Sequence, residues 1–326
     1  MHMADALVSP AVAGGAALVA ATLIGVAVSK VKKSKRPDLT ALMGVGGAFV
    51  FAAQMINFSI PATGSSGHIV GGVLLAAILG PWAAFLTLCS VIVVQCLLFA
   101  DGGLMALGCN ILNMAAASTL FAFPLMFRKM CGTECRPWRI MAASVATSVV
   151  ALEIGALGVT AETWLSGVTP LSFPVFLGFM LPIHLAIGAL EGVATGAVLC
   201  FVERNRPATI SGGIGAAPDI LTAEQSLRRI VVGLLLVTVV MAVGFTWLAS
   251  SDPDGLEWSL EKVAGAVEFA SFESPTAIMP DYDSSFSGIV GSVVVMAMVW
   301  AVSSLLFRRA ARRAAPEASA PKDRVR

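Results

Sequence analysis

Eight apolar runs divide this chain, each close to the ~20 residues an α-helix needs to cross the hydrocarbon of a bilayer. They lie near residues 11–29, 39–58, 82–99, 104–127, 140–160, 177–202, 228–249 and 288–307. A further run, 68–80 (HIVGGVLLAAILG), is shorter and Gly-rich and follows the polar loop SIPATGSSG. In lipid, every backbone N–H and C=O must bond within the protein, so such runs predict helices. Composition agrees: 57% of the 326 residues are hydrophobic and 13% are charged, against about 25% charged in soluble domains. The expected fold is all-α, a polytopic transmembrane helix bundle of about nine spans, a seven-helix unit followed by a two-helix unit. The lipid bilayer is then the first partner. A net charge of +1 with no basic soluble face speaks against nucleic acid.

Charge placement sets the expected count and orientation. With the N-terminus outside and nine crossings, the cytoplasmic connections hold 20 of the 21 Lys and Arg residues, and Lys262 alone falls outside. Eight crossings would scatter the same residues over both sides, against the positive-inside rule. The expectation is a multi-pass protein of the bacterial cytoplasmic (inner) membrane with a cytoplasmic C-terminus. Residues 1–10 contain no Lys or Arg, so the charged start of a secretory leader is missing.

The chain reads as two unequal parts. Residues 1–202 form the first, 203–227 a polar cytoplasmic linker, and 228–307 a two-helix unit around an external segment, 250–287. That segment is acidic, with Asp252, Asp254, Glu257, Glu261, Glu268, Glu273, Asp281 and Asp283. It either concentrates cations by its field or merely complements the cytoplasmic positive charge. Residues 308–326 make a basic cytoplasmic tail, expected to be disordered from Ala310 onward. The six cysteines, Cys131 and Cys135 among them, read as reduced thiols rather than a disulfide framework.

Polar residues are sparse enough to be examined singly. The start, Met1-His2-Met3, offers a terminal amine, an amide nitrogen and an imidazole that can chelate one cation in fused five- and six-membered rings. In-plane nitrogen donors of this kind suit Ni(II) or Cu(II), and Co(II) less strictly. His68 sits on the same expected side and can supply a fourth nitrogen, approached through the loop Gly64-Ser65-Ser66-Gly67. The same two histidines would also be unremarked in a frayed terminus and a loop. Ser65, Ser66, Gln54, Asn57, Asp101, Asn110 and Asn113 are candidates to orient these ligands, or are ordinary polar contacts between helices. Within the spans, Glu153, His184 and Glu191 are costly in lipid and mark candidate sites. His184 and Glu191, seven apart, share a helix face, as a relay, an ion site or a structural pair. Ala13, Ala17, Ala21 and Gly25 form a small-residue stripe suited to close helix approach. No G-x-x-x-x-G-K-[ST] and no H-E-x-x-H occurs, so neither ATP hydrolysis nor zinc-protease chemistry is expected, and the chain reads as a non-enzyme.

MHMADALVSP, FAAQMINFSIPATGSSGHIVGG, FADGGLMALGCNILNMA and HLAIGALEGVATG together resemble the CbiM/NikM family over roughly residues 1–202. These are substrate-specific components of energy-coupling factor transporters for cobalt and nickel. Members commonly begin Met-His-Ile-Pro-Asp-Gly, where this chain has Met-His-Met-Ala-Asp-Ala. Asp252-Pro253-Asp254-Gly255-Leu256-Glu257-Trp258 and Pro280-Asp281-Tyr282 resemble the PDGLE domain, similar to the small N subunit of these transporters. The resemblance implies metal ligation by the Met1 amine, the His2 amide and ring, and the His68 ring. It also implies Ni2+ or Co2+ as transported substrate, no organic cofactor, a link to cobalamin biosynthesis, and partners in a transmembrane coupling subunit and ATPase subunits. Nitrogen-only donors favour nickel. The competing expectation is a self-sufficient nickel/cobalt permease driven by an ion gradient.

Overall fold

A computed structural model describes residues 1–34, 36, 38–132, 136–205, 210, 223–245, 249–264, 278–279 and 285–314. Three long helices begin on proline, whose fixed φ is already helical and whose missing N–H costs nothing in the first turn. They are α1 (Pro10–Lys32), α4 (Pro81–Phe99) and α6 (Pro137–Ser166). The others of the first unit are α2 (Leu39–Gln54), α3 (Gly72–Leu79), α5 (Leu107–Cys131) and α7 (Phe173–Asn205). Within α5, Ile111–Phe127 is wound as a π-helix that contains Pro124. The second unit contributes α8 (Ala223–Val240), continued by a π-helical turn over Met241–Phe245, then α9 (Gly255–Ala264) and α10 (Ser285–Ala314). Among the described residues six helices are long and apolar enough to cross a membrane. The architecture is an all-α polytopic bundle.

The largest departure from the expected pattern falls between α2 and α4. The run 39–58 stops being helical at Gln54. Phe58–Ile60 (β1) and Ser65–Gly67 (β2) instead pair antiparallel, with Ser59 opposite Ser66. Residues 68–71 continue without helix, and α3 then has only 8 residues. The chain therefore passes through the bundle in two pieces, one extended and one helical. At the far end of α3, Arg36 Nη1 donates to the Ile78 carbonyl at 3.1 Å, next to the basic connection after α1. Gly71 makes the turn into α3: its φ is +75°, and a Cβ there would stand 2.8 Å from Val50 Cγ2. This is irregular backbone of the kind tolerated at membrane depth only when surrounded by protein, and Val70 is 3% exposed.

Close approach of helices fixes the rest. Gly188 and Gly192 of α7 lie against the backbone of Val149 and Val145 in α6, and α6 packs in turn on α5. The second unit does not stand apart: α8 and α10 pack on α2, and Gly291 of α10 receives the ring of Phe51. Helix α9 packs on α7 and β2. On the outside, Leu18, Phe201 and Leu236 are exposed, as side chains facing lipid should be. Of the small-residue stripe in α1, Ala13 is buried, whereas Ala17, Ala21 and Gly25 face outward.

The C-terminal helix extends to Ala314, beyond the Ala310 at which order was expected to end. Alanine and arginine are strong helix formers, and arginines near a helix C-terminus complement its dipole. Cys89, Cys96, Cys109 and Cys200 are free thiols. Cys135, Pro280-Asp281-Tyr282, most of the linker 203–227 and residues 315–326 lie outside the described residues.

Candidate metal site

The N-terminal segment is folded into the bundle. Asn110 of α5 brackets Met3, its Oδ1 accepting from the Met3 N–H at 2.7 Å and its Nδ2 donating to the Met3 carbonyl at 3.1 Å. Gly103 N–H donates to the same carbonyl, and Asp5 Oδ1 accepts from the Ala106 N–H at 2.9 Å. These bonds hold residues 1–3 against the ends of α4 and α5, and Met1 and Met3 are buried.

So held, His2 meets His68, 66 positions away. Their rings stack with centroids 5.3 Å apart and planes 17° from parallel. His2 Nδ1 lies 2.9 Å from Asp101 Oδ1, and Nε2 lies 3.2 Å from Gln95 Oε1. Gln95 donates to Gln54 Oε1 at 2.6 Å, and Gln54 donates to the Val70 carbonyl at 2.8 Å. One line of carboxamides thus ties the His2 ring to the backbone two residues beyond His68.

The Met1 amine donates to Asp254 Oδ2 at 2.6 Å. Asp254 belongs to the second unit, and the loop that carries it is clamped to the hairpin. Ser66 N–H donates to the Pro253 carbonyl at 2.8 Å, Ser66 Oγ to the Asp252 carbonyl at 2.7 Å, and Trp258 Nε1 to the Thr63 carbonyl at 3.0 Å. Asp254 Oδ1 also caps α9, accepting from the N–H groups of Leu256 and Glu257, each at 2.8 Å. Burial would raise the Asp254 carboxyl, but the Met1 amine outweighs it and holds Asp254 well below the usual range. At Asp101 burial also pushes upward, and the charge and hydrogen bond of His2 overcome it. Glu257 is raised, by burial first and then by neighbouring Asp254.

Of the sequence candidates, Met1, His2, His68, Asp101, Asn110 and Gln54 come together here. Ser65 and Ser66 sit beside His68 but spend their hydroxyls on the 252–253 carbonyls. Asn113 turns its carboxamide away, donating to Glu162 Oε2 at 2.6 Å. At Asn57 the backbone carbonyl accepts from Ser250 N–H. His184 and Glu191 do not bond each other. Two turns of helix separate them along the axis by about 10 Å, and each finds backbone instead. His184 Nδ1 meets the Met180 carbonyl at 2.8 Å, and Glu191 accepts from the N–H groups of Val70 and Gly71 at 2.9 and 3.1 Å. Gln95, Asp254 and Glu162 were not among the expected site residues. Gln95 had a visible signal, a carboxamide amid the apolar run of α4.

Bundle and pocket together define a multi-pass helical membrane protein with two imidazoles, a terminal amine and two carboxylates gathered in one buried place. It belongs to the CbiM family, as residues 2–209 match the cobalt uptake substrate-specific transmembrane region. Residues 228–308 match the PDGLE domain. A protein of Archaeoglobus fulgidus named as a fused nickel transport protein, NikMN, is 29% identical over 93% of this chain and 98% of its own. The cobalt transport protein CbiM of Geobacter sulfurreducens is 28% identical over 82% of this chain and 75% of its own. A crystal structure of a truncated transition metal transporter superposes with a TM-score of 0.55 at 29% identity, over 63% of this chain and 99% of that one. The chain is accordingly a metal transport component of the CbiM/NikM family.

Proposed function

We propose that this chain is the substrate-capturing component of an energy-coupling factor importer, taking Ni(II) in preference to Co(II) from outside the inner membrane. The ligands are the Met1 amine, the His2 amide nitrogen and Nδ1, and the His68 ring. The observation that carries this reading is the stacking of His2 on His68 at 5.3 Å beside the Met1 amine.

In the conformation described, two of the donors are engaged by carboxylates, the amine by Asp254 and His2 Nδ1 by Asp101. Capture exchanges those contacts for metal bonds. The ammonium and the His2 amide each lose a proton, as does His2 Nδ1 where it donates to Asp101, so protons leave with capture and binding strengthens as pH rises. The rings must also turn from their stack, because imidazoles bound to one metal point their nitrogens at a common centre about 2 Å away. Asp101 and Gln95 are then the groups that set the angle of His2.

Energy comes from separate ATPase subunits through a membrane coupling subunit, which the outward stripe Ala17, Ala21 and Gly25 of α1 suits in size. The N-terminus faces outside and the C-terminus the cytoplasm. Equilibrium dialysis of the purified chain against each metal tests the capture reading. His2→Ala and His68→Ala should each abolish tight binding, and a residue inserted between Met1 and His2 should weaken it by changing the chelate ring. Unchanged affinity in both alanine variants sinks the ligand set. Mass spectrometry must also find Met1 present with a free amine.

A further inference from the structure

Beside His68 lies a cavity of about 10 Å³ bordered by Met1, His68, His184, Asp254 and Gly255, with Leu152 and Ile187 closing it on the apolar side. That is room for one water-sized particle. His184 is 1% exposed and stands in the membrane-spanning helix α7, roughly 16 Å along it from Phe173. Its Nδ1 is engaged by the Met180 carbonyl at 2.8 Å, while Nε2 is buried without a hydrogen-bond partner. A carbonyl can only accept, so Nδ1 carries the proton and, in the neutral ring, Nε2 carries the lone pair. Metal-ligating histidines are oriented in just this way, by donation from the other ring nitrogen to a backbone carbonyl. The room beside that nitrogen is kept by Gly255, where a Cβ would stand 3.4 Å from Nε2.

We propose a second metal position at this cavity, with His184 Nε2 and the Asp254 carboxylate as ligands, taking the same divalent cation as the N-terminal chelate. This rests on the capture reading and extends it. Asp254 touches both places, since it holds the Met1 amine and borders the cavity. A cation passing from the N-terminal nitrogens to His184 then stays within the reach of that carboxylate. A resident water donating to Nε2 is the competing occupant, and it predicts no metal there.

The chain has three histidines, which permits a direct test. In the full-length His2→Ala/His68→Ala protein His184 is the single imidazole left. Cu(II), which binds nitrogen sites more tightly than Ni(II) or Co(II), is added alone at one equivalent, and pulsed EPR records coupling to the remote imidazole nitrogen. The expected result is imidazole coupling in the double variant, with affinity at least tenfold below wild type. Adding His184→Asn, which keeps an amide to bond Met180 and deletes Nε2, should remove the coupling. Copper without imidazole coupling in the double variant, where wild type shows it, overturns the second position and leaves the N-terminal chelate standing. Absence of imidazole coupling in wild type overturns both. The decisive measurement leaves His184 intact, so a folding failure of His184→Asn cannot decide it.

Discussion

The Met1 amine and the Asp254 carboxylate, 253 positions apart, form an ion pair of 2.6 Å with side-chain exposures of only 4% and 19%. The pair joins the first residue of the metal-transport unit to the loop of the second. Its surroundings make it more than a surface contact: the loop around Asp254 bonds the hairpin before His68 through Ser66 and Trp258. The second unit therefore covers the candidate site, and any cation that reaches the Met1 amine must displace Asp254 from it.

Asp254→Asn should loosen that cover. Removing one partner of a buried pair leaves an uncompensated charge and costs 3–5 kcal/mol in the interior. Partial exposure at Asp254 lowers the expectation to about 1–3 kcal/mol. The expected outcome is a lower melting temperature in detergent and faster hydrogen exchange at the 256 and 257 amides, whose acceptor is Asp254 Oδ1. Unchanged exchange there would show that the clamp is held by the Ser66 and Trp258 bonds alone.

Acid should expose the same pair. Asp254 and Asp101 both have folded carboxyls held below their ordinary values, despite burial, by the Met1 amine and by His2 respectively. For a depressed acid the stabilisation is complete above the unfolded value of ~3.9 and is lost as pH falls toward the folded one, because the unfolded chain protonates first. The wild-type melting temperature should therefore drop below about pH 4 more steeply than that of Asp254→Asn or Asp101→Asn. The gap between wild type and each variant should narrow as pH falls. Parallel curves would mean that neither carboxylate is so held.

Much of this was legible in the chain and some of it was not, for separate physical reasons. Helices announce themselves by unbroken apolarity, and α4 starts at Pro81 for a reason that local chemistry states. The short, Gly-rich run 68–80 showed that something irregular falls there, but not that 68–71 is extended, because a buried extended segment can be as apolar as a helix. Spacing alone puts His2 and His68 only on one side, and the resemblance put both on one cation; how they meet depends on Asn110 gripping Met3. Asp254 lay in plain view inside an acidic segment whose carboxylates look alike, and only tertiary docking distinguishes it. The pairing of His184 with Glu191 failed because a shared face is not a shared bond. Each group is nearer a backbone partner than the other side chain.

Gln95→Leu should weaken metal binding without unfolding the protein. The leucine fills similar volume but removes the oxygen beside His2 Nε2 and the donor to Gln54. Groups that orient a ligating histidine are typically worth 10–100-fold in affinity. Dialysis against Ni(II) should show a loss in that range, with melting lowered only modestly because Gln54 Oε1 loses its donor, at about 1–3 kcal/mol. Affinity equal to wild type would assign the carboxamides to packing alone.

Glu191 offers the sharpest separation between a structural and an ion-carrying carboxylate. Its two oxygens accept the Val70 and Gly71 N–H groups at 2.9 and 3.1 Å, and Glu191 itself is 1% exposed. It thus satisfies backbone that no helix provides for, two residues beyond His68. Glu191→Ala strands both donors in the protein interior, at about 1–3 kcal/mol each. Glu191→Gln keeps one acceptor oxygen and turns an NH2 toward the other donor, so it should recover only part of the loss. The expected order of melting temperatures is wild type, Glu191→Gln, Glu191→Ala, with Ni(II) affinity following the same order because the His68 segment is what moves. A Glu191→Gln chain that melts like wild type yet fails in uptake would reverse the assignment, making the charge rather than the hydrogen bonds the reason for a carboxylate at that depth.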